Sequence, residues 1–329
     1  MGLLVKLGLR RPIIWESPTI LDWLLEAPLQ GLIFYMYHII LWLRSNRTKP
    51  PRGKHPIKIV CLSDTHESIV QNVPNGDLLI HCGDLVNDGK AASIQKQIDW
   101  LASLPHQHKI VICGNHDSWF DINSRTEEDK LNGNSVDMRT IHYLEHRSIT
   151  LDFQDGRKLN IYGAPDIPEC GGPDNAYYYR FQYTSYQNPW EDAVPIDTDI
   201  LVTHTPPKHH LDLSLGCPHL LREIWRKKPK VHMFGHVHCG RGFQHVFWDE
   251  CQKQYERAMS RPKPGLFYNV LDYRAWLDVY SVLYYGVISI LWHWLFLGGV
   301  ANRSILINAG MQNGTSGKLT KKSPITITI

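Results

Sequence analysis

Five short apolar runs punctuate the middle of the chain, and each stops at a polar cluster. Residues 57–62 lead into Ser63-Asp64-Thr65-His66, residues 78–82 into Gly83-Asp84, and residues 109–113 into Gly114-Asn115-His116-Asp117. Residues 199–203 lead into His204-Thr205-Pro206-Pro207, and residues 231–234 into Gly235-His236-Val237-His238. The runs are β-branched and nearly continuous, the pattern of strands buried on both faces. Helical periodicity falls between them. Residues 91–104 carry Ile94, Ile98, Trp100 and Leu101, and residues 217–228 carry Leu220, Leu221, Ile224 and Trp225 before Pro229 stops them. Strands alternating with helices predict an α/β fold.

The intervening section is less regular. Residues 149–153 and 158–162 read as a hairpin around Asp155-Gly156. Residues 169–190, rich in Gly and Tyr, read as a long loop near the strand ends. Tyr177, Tyr178, Tyr179, Phe181 and Tyr183 anchor it, with one or two at the mouth of a site. Short strands are expected again at residues 305–308 and 325–329.

Two apolar segments break the pattern. Residues 27–43 carry no formal charge, span roughly the minimum needed to cross a bilayer, and close with Trp42 and Arg44. The run starts too late, and lacks the small-residue site, for a cleaved signal peptide. Lys6 stands where a myristoylation motif needs Ser or Thr. A basic, proline-broken linker follows, with Arg44, Arg47, Lys49, Arg52, Lys54 and Lys58 and no acid, which suits the cytosolic flank of a membrane segment. The second segment, residues 279–301, also has no formal charge and is long enough to span. If the strands expected after it rejoin the sheet before it, a single crossing would separate those strands. It is therefore expected to lie in the interface, re-enter on one side, or pack against the protein. With residues 27–43 it makes one apolar surface for monotopic attachment, or a soluble helical subdomain. The domain plan is thus an N-terminal segment with linker (1–55), a catalytic domain (56–248), a helical insertion (249–303) and returning strands (304–329).

Composition adds three points. The formal net charge of +3 over 329 residues gives no basic surplus for nucleic acid. The 18 histidines raise the prospect of a metal site. Cys61, Cys82 and Cys113 sit inside apolar runs and read as packed thiols, and the seven cysteines show no zinc spacing, which favours reduced thiols over a disulfide framework.

The strand-end residues carry the chemistry, because ligands in open α/β sheets bind beyond the carboxyl ends of the strands. Asp64, His66, Asp84, Asn115, His204, His236 and His238 offer oxygen and imidazole without thiolate, a set suited to Mn, Fe or Zn. Seven ligands exceed what one ion with an open position takes, and suit two divalent ions sharing a carboxylate. Such a pair acidifies a water between its ions and clamps both oxygens of an in-line displacement at phosphorus.

The series D-x-H, G-D, G-N-H, H, G-H-x-H resembles the calcineurin-like metallophosphoesterase superfamily. The VTHTPP segment and the helix leading into VHMFGHVH resemble its metallophosphoesterase-domain-containing branch, related to class III cyclic nucleotide phosphodiesterases. The resemblance covers about residues 57–248 and resumes near residues 305–309. It implies a four-layer α-β-β-α sandwich, here with N-terminal and inserted apolar helices. It also implies one ion held by Asp64, His66, Asp84 and His238, and another by Asp84, Asn115, His204 and His236. His116 would contact phosphate or protonate the leaving oxygen. Protein phosphatases of the superfamily carry an aspartate that orients this histidine, and Asn87 stands in that place. The expected protein is a two-metal phosphoesterase acting on phosphodiesters or monoesters at a membrane surface, from the cytosolic side, on a substrate that includes lipid or amphipathic phosphates. The rivals are a non-catalytic membrane scaffold and a nuclease of the same fold.

Overall fold

The structure is a computed structural model and describes residues 2–45, 55–170, 181–184, 186–296, 303–314 and 316–329. The chain divides into two compact units: Met1–Lys49 with Gln244–Ile305, and Pro50–Phe243 with Leu306–Ile329. The N-terminal segment and the insertion therefore belong to one unit.

In chain order, helices α1 (Leu3–Lys6), α2 (Ile20–Glu26) and α3 (Pro28–Ser45) come first. The larger unit then runs β1 (Lys58–Leu62), β2 (Leu78–Cys82), α4 (Ala91–Ser103), β3 (His108–Ile112), α5 (Glu127–Asn132), β4 (His142–Tyr143), β5 (Arg147–Asp152) and β6 (Lys158–Ala164). It continues through β7 (Ile167–Pro168), β8 (Gln182–Tyr183), β9 (Ile200–Thr203), α6 (Pro218–Lys227) and β10 (Val231–Phe234), and β11 (Gly242–Phe247) begins in the larger unit and ends in the smaller. After α7 (Glu250–Met259), α8 (Leu266–Leu271) and α9 (Tyr273–Phe296), the chain returns in β12 (Arg303–Asn308) and β13 (Ile325–Thr328).

One sheet has the order β13-β1-β2-β3-β4, with β1 to β4 parallel and β13 antiparallel at the edge. The other has the order β11-β12-β10-β9-β6-β5, with β6, β9 and β10 parallel and β5 closing the expected hairpin against β6. Alternation along β1 explains the layering. Val60 and Leu62 pack with Ile94, Ile98 and Leu101 of α4, while Cys61 turns the other way to meet Met233 of β10 at 3.5 Å. Two mixed, parallel-rich sheets flanked by helices make the expected α/β sandwich. The seven cysteines form no disulfide, and Cys61, Cys82 and Cys113 are buried.

The smaller unit is a helical bundle. Tyr37 of α3 stacks on Tyr255 of α7 at 3.8 Å between ring centroids, and Ile33, Ile40 and Leu41 join Cys251, Ala258 and Val282 in its core. Its ends are tied by polar contacts. Arg44 pairs with Asp249 at 2.7 Å and stacks on Phe247, Gln30 donates to the carbonyls of Ala258 and Arg261, and Asn269 accepts from the Leu29 amide. The long helix begins at Tyr273, earlier than the uncharged run, because Asp278 is accommodated inside the bundle by Arg257 and Arg261.

Candidate metal centre

Parallel strands β1, β2 and β3 deliver their polar ends to one edge of the first sheet, and β9 and β10 do the same in the second. The backbone there is unusual. Asp64, His66, Asp84 and His236 all have positive φ, at 54°, 45°, 56° and 65°. Non-glycine residues in this region carry strain and persist only where neighbours hold them. The holders are visible. The Asp64 amide donates to the Gly83 carbonyl at 2.9 Å, and the His66 amide to the Asp84 carbonyl at 3.1 Å. The Asp64 carboxylate accepts from the His236 amide at 3.0 Å, and that of Asp84 from the His116 amide at 2.9 Å. Each aspartate thus clamps a loop that presents a histidine.

Two glycines let the loops close in. A Cβ at Gly114 would stand 2.3 Å from Asp84 Oδ1 and 2.7 Å from His204 Cε1. A Cβ at Gly235 would stand 1.9 Å from Ser63 Oγ and 2.3 Å from Asp64 Oδ2. No side chain fits at either place.

The donor atoms converge in two sets that share Asp84. One holds Asp64, His66, Asp84 and His238, the other Asp84, His204 and His236, with the donor atoms of each within 4.8 Å of one another. Asn115 belongs with the second set, its Oδ1 lying 3.1 Å from His204 Nε2 and 2.9 Å from His236 Nδ1. The far nitrogens of two rings are fixed by backbone. His204 Nδ1 donates to the Cys82 carbonyl at 2.7 Å and His238 Nδ1 to the Gly314 carbonyl at 2.9 Å, which turns each Nε2 toward a carboxylate. Those Nε2 atoms lie 3.3 Å from Asp84 and 3.4 Å from Asp64.

The electrostatics describe a cation site. Burial alone would raise the Asp64 carboxyl, but the hydrogen bond and charge of His238 and the charge of His204 hold it at about 2. Burial is likewise outweighed at Asp84, which His204 and His116 hold well below the usual carboxylate range. Burial works against charge on His204 and His238 too, yet the aspartates raise both to about 9. His236 falls to about 3, through burial and then the charge of His204, and burial also lowers His66. Neither ring nitrogen of His66 makes a hydrogen bond although both are buried. Two buried carboxylates demanding positive charge, beside a buried imidazole whose ring nitrogens make no hydrogen bond, fit divalent cations.

His116 is half-buried, its ring centroid 5.0 Å from that of His66. Asn87 Nδ2 donates to the His66 carbonyl at 3.3 Å and its amide to Glu67, so it braces the turn that carries the His66 ring. Sequence reasoning passed over Asp117. Fully buried, it accepts from the Gly114 amide at 2.9 Å and the Val86 amide at 3.1 Å, joining the second and third loops, and burial and the Asp84 charge push it up to about 8. Asn308, at the end of β12, was also missed. It donates to the carbonyls of Leu211 and Val237 and holds the histidine loop. The available signal was position: Asp117 closes the polar cluster after β3, and Asn308 is the polar last residue of β12. In the long loop, Phe181 and Tyr183 are buried anchors, and Trp190 Nε1 donates to the Tyr183 hydroxyl at 3.1 Å. Tyr177, Tyr178 and Tyr179 lie outside the described residues, as do Arg47, Lys49, Arg52 and Lys54 of the linker.

Comparison with known proteins agrees with this geometry. The profile of the calcineurin-like phosphoesterase family matches residues 57–240. Among similar proteins, the probable rhamnogalacturonate lyase C of Emericella nidulans is 36% identical over 88% of this chain, a match that covers 26% of that protein. A UPF0046 protein of Caenorhabditis elegans is 36% identical over 57% of this chain and 66% of its own length. Human metallophosphoesterase domain-containing protein 1 is 32% identical over 58% of this chain and 64% of its own length. The chain thus spans a quarter of the first relative and just under two thirds of the other two. The family match covers more than half of the chain and contains every strand-end donor, and the chain belongs to the calcineurin-like phosphoesterase family.

Proposed function

We propose that the protein hydrolyses phosphate esters, diesters or monoesters, with two divalent cations held by the strand-end donors. The single observation that carries this reading is the sharing of Asp84 by two converging donor sets. One cation would take Asp64, His66, Asp84 and His238. The other would take Asp84, Asn115, His204 and His236. When bound, such a pair acidifies water and stabilises charge at phosphorus.

The chain's own residues supply the rest. Asp64 and Asp84 accept the backbone amides of His236 and His116, so the loops are set before substrate arrives. The Cys82 and Gly314 carbonyls fix the tautomers of His204 and His238. His116 follows a donor, is partly open to solvent, and is the group placed to give a proton to the leaving oxygen. Because position 87 is an asparagine, that imidazole works without a carboxylate from that position.

The same reading has the enzyme act at a membrane surface. What supports this is α9, the one helix among the described residues long and apolar enough to cross a membrane, with only 17% of its apolar window buried. An amphipathic phosphate ester is the substrate class that fits such a location. The test is Asp84→Asn, assayed on an aryl phosphodiester with Mn²⁺ and by elemental analysis. Loss of both turnover and bound metal is expected. Full metal-dependent turnover in the variant would overturn the assignment.

A further inference from the structure

The helical unit carries apolar residues on its outside as well as in its core. In α3 the exposed positions are Leu32, Tyr35, Ile39 and Trp42, while Gln30 and Arg44 are buried. In α9 every exposed position after Arg274 is apolar or aromatic, while Asp278 and His293 are each 1% exposed. The third long element differs in its outer face. Helix α7 buries Cys251, Tyr255 and Ala258 together with Gln252 and Glu256, and exposes Lys253, Arg257 and the following Ser260. The bundle therefore has one polar side, made by α7, and one apolar side, made by α3 and α9 and extended by Phe267, Tyr268 and Leu271 of α8.

The helix directions decide how such a body meets a bilayer. Helices α3 and α9 run parallel. Asn269, just before α9, meets Leu29 at the start of α3, and Trp294 reaches the Leu43 carbonyl near the other end at 3.5 Å. Between these ends Gly286 lies so close to Ile40 that an added Cβ would be 2.3 Å from its Cδ1. Helix α7 runs the opposite way, from Asp249 beside Arg44 to Ala258 and Arg261 beside Gln30. It thus lies alongside α3 over most of its length. If α3 and α9 crossed a membrane, the charges of α7 would be carried to hydrocarbon depth. The aromatics point the same way. Spanning helices gather Trp and Tyr at the two interfaces, whereas exposed Trp276, Tyr280, Tyr284 and Trp292 recur along α9, through its middle.

We infer that this unit is a one-leaflet membrane insert. It lies flat, with the outer stripes of α3 and α9 among the acyl chains and headgroup boundary, and with α7 facing water. The inference rests on the membrane reading above and adds its geometry. The occupant of the apolar side is lipid. A second copy of the chain would have to cover stripes on three helices at once, all without a charge at the centre.

The experiment uses the full chain bound to sealed phosphatidylcholine–phosphatidylserine vesicles. Single variants Lys253→Cys, Arg274→Cys and Leu283→Cys are treated with a polyethylene-glycol maleimide added outside, and labelling is read above the wild-type background. The chain is expected to float with the vesicles. Labelling is expected at the first two positions without detergent, and loss of labelling at Leu283→Cys until detergent is added. Flotation with protection of Arg274→Cys or Lys253→Cys would mean a spanning bundle, which overturns this inference and leaves membrane attachment standing. Failure to float, with a soluble dimer by light scattering, would overturn both.

Discussion

The two units of this chain solve opposite problems with the same residue types. In the larger unit, apolar strand interiors are buried and the polar residues that follow them converge at one edge. Val60, Leu62, Leu79 and Val111 have at most 1% exposure, and the loops that follow their strands carry donors. In the smaller unit, polar Gln30, Arg44 and Asp278 are buried beside an apolar core, while Leu32, Ile39, Trp42 and Tyr280 lie outside. Buried polarity in the first unit is concentrated and strained, four donors holding positive φ, as befits a site. Buried polarity in the second is dispersed and satisfied locally, Asp278 by two arginines and Asn269 by a backbone amide, as befits scaffolding. Burial of a charged residue is therefore no sign of chemistry by itself. Convergence on a shared point is.

The contrast can be broken most sharply at Asp84. Asp84→Asn should cut turnover on the order of 100-fold or more, beyond the loss usual for residues that only support a metal site, with flotation on vesicles unchanged. Equal loss of both properties would tie the units together in a way the contrast denies. Next, Gly235→Ala drives a methyl into Ser63 and Asp64. It should destabilise the larger unit by about 3 kcal/mol, the upper range for overpacking, read as a lower thermal midpoint and weaker metal retention.

Acid tests the larger unit at a different point. His232 is buried in β10, bonded to Thr203 Oγ1 at 2.9 Å, and burial, then the charge of His210, lowers it to about 3. A histidine depressed when folded contributes stability that is fully present above its unfolded value of about 6.5. That contribution is lost as pH falls below it toward the folded value. At pH 5 the loss is on the order of 2 kcal/mol. Replacement by Gln should flatten the pH dependence of the chemical-denaturation midpoint between pH 6.5 and 5, and an unchanged slope would remove His232 from the account. The smallest effect is expected on α9. Leu283→Glu should weaken vesicle binding by roughly tenfold, the low end of the range for withdrawing one leucine from an apolar phase, while turnover of a soluble ester stays at the wild-type level.

Much of the site was legible in advance. Asp64, His66, Asp84, Asn115, His204, His236 and His238 could be picked out because each lies just past a continuous apolar run, and strand ends are where such sheets place ligands. The bonds of Asn87 to the His66 turn were not, since they join two loops that no periodicity relates. Asp117 escaped because its partners, Gly114 and Val86, lie on two different loops. The pairing of the N-terminal segment with the insertion was legible as two uncharged segments, but which residues meet, such as Tyr37 on Tyr255, was not, because they are far apart in sequence.

The sequence by itself determined which residues could serve, because strand identity and the polar residue after it are local properties set by side-chain shape and hydrophobic period. It also determined that two long uncharged segments exist. Only the tertiary structure decided that Asp84 is shared between two donor sets, and that α9 turns Asp278 inward and its aromatics outward. Both depend on contacts between residues distant along the chain. The face a helix buries is set by what packs against it, and a segment apolar on nearly every side carries no period from which that face can be read.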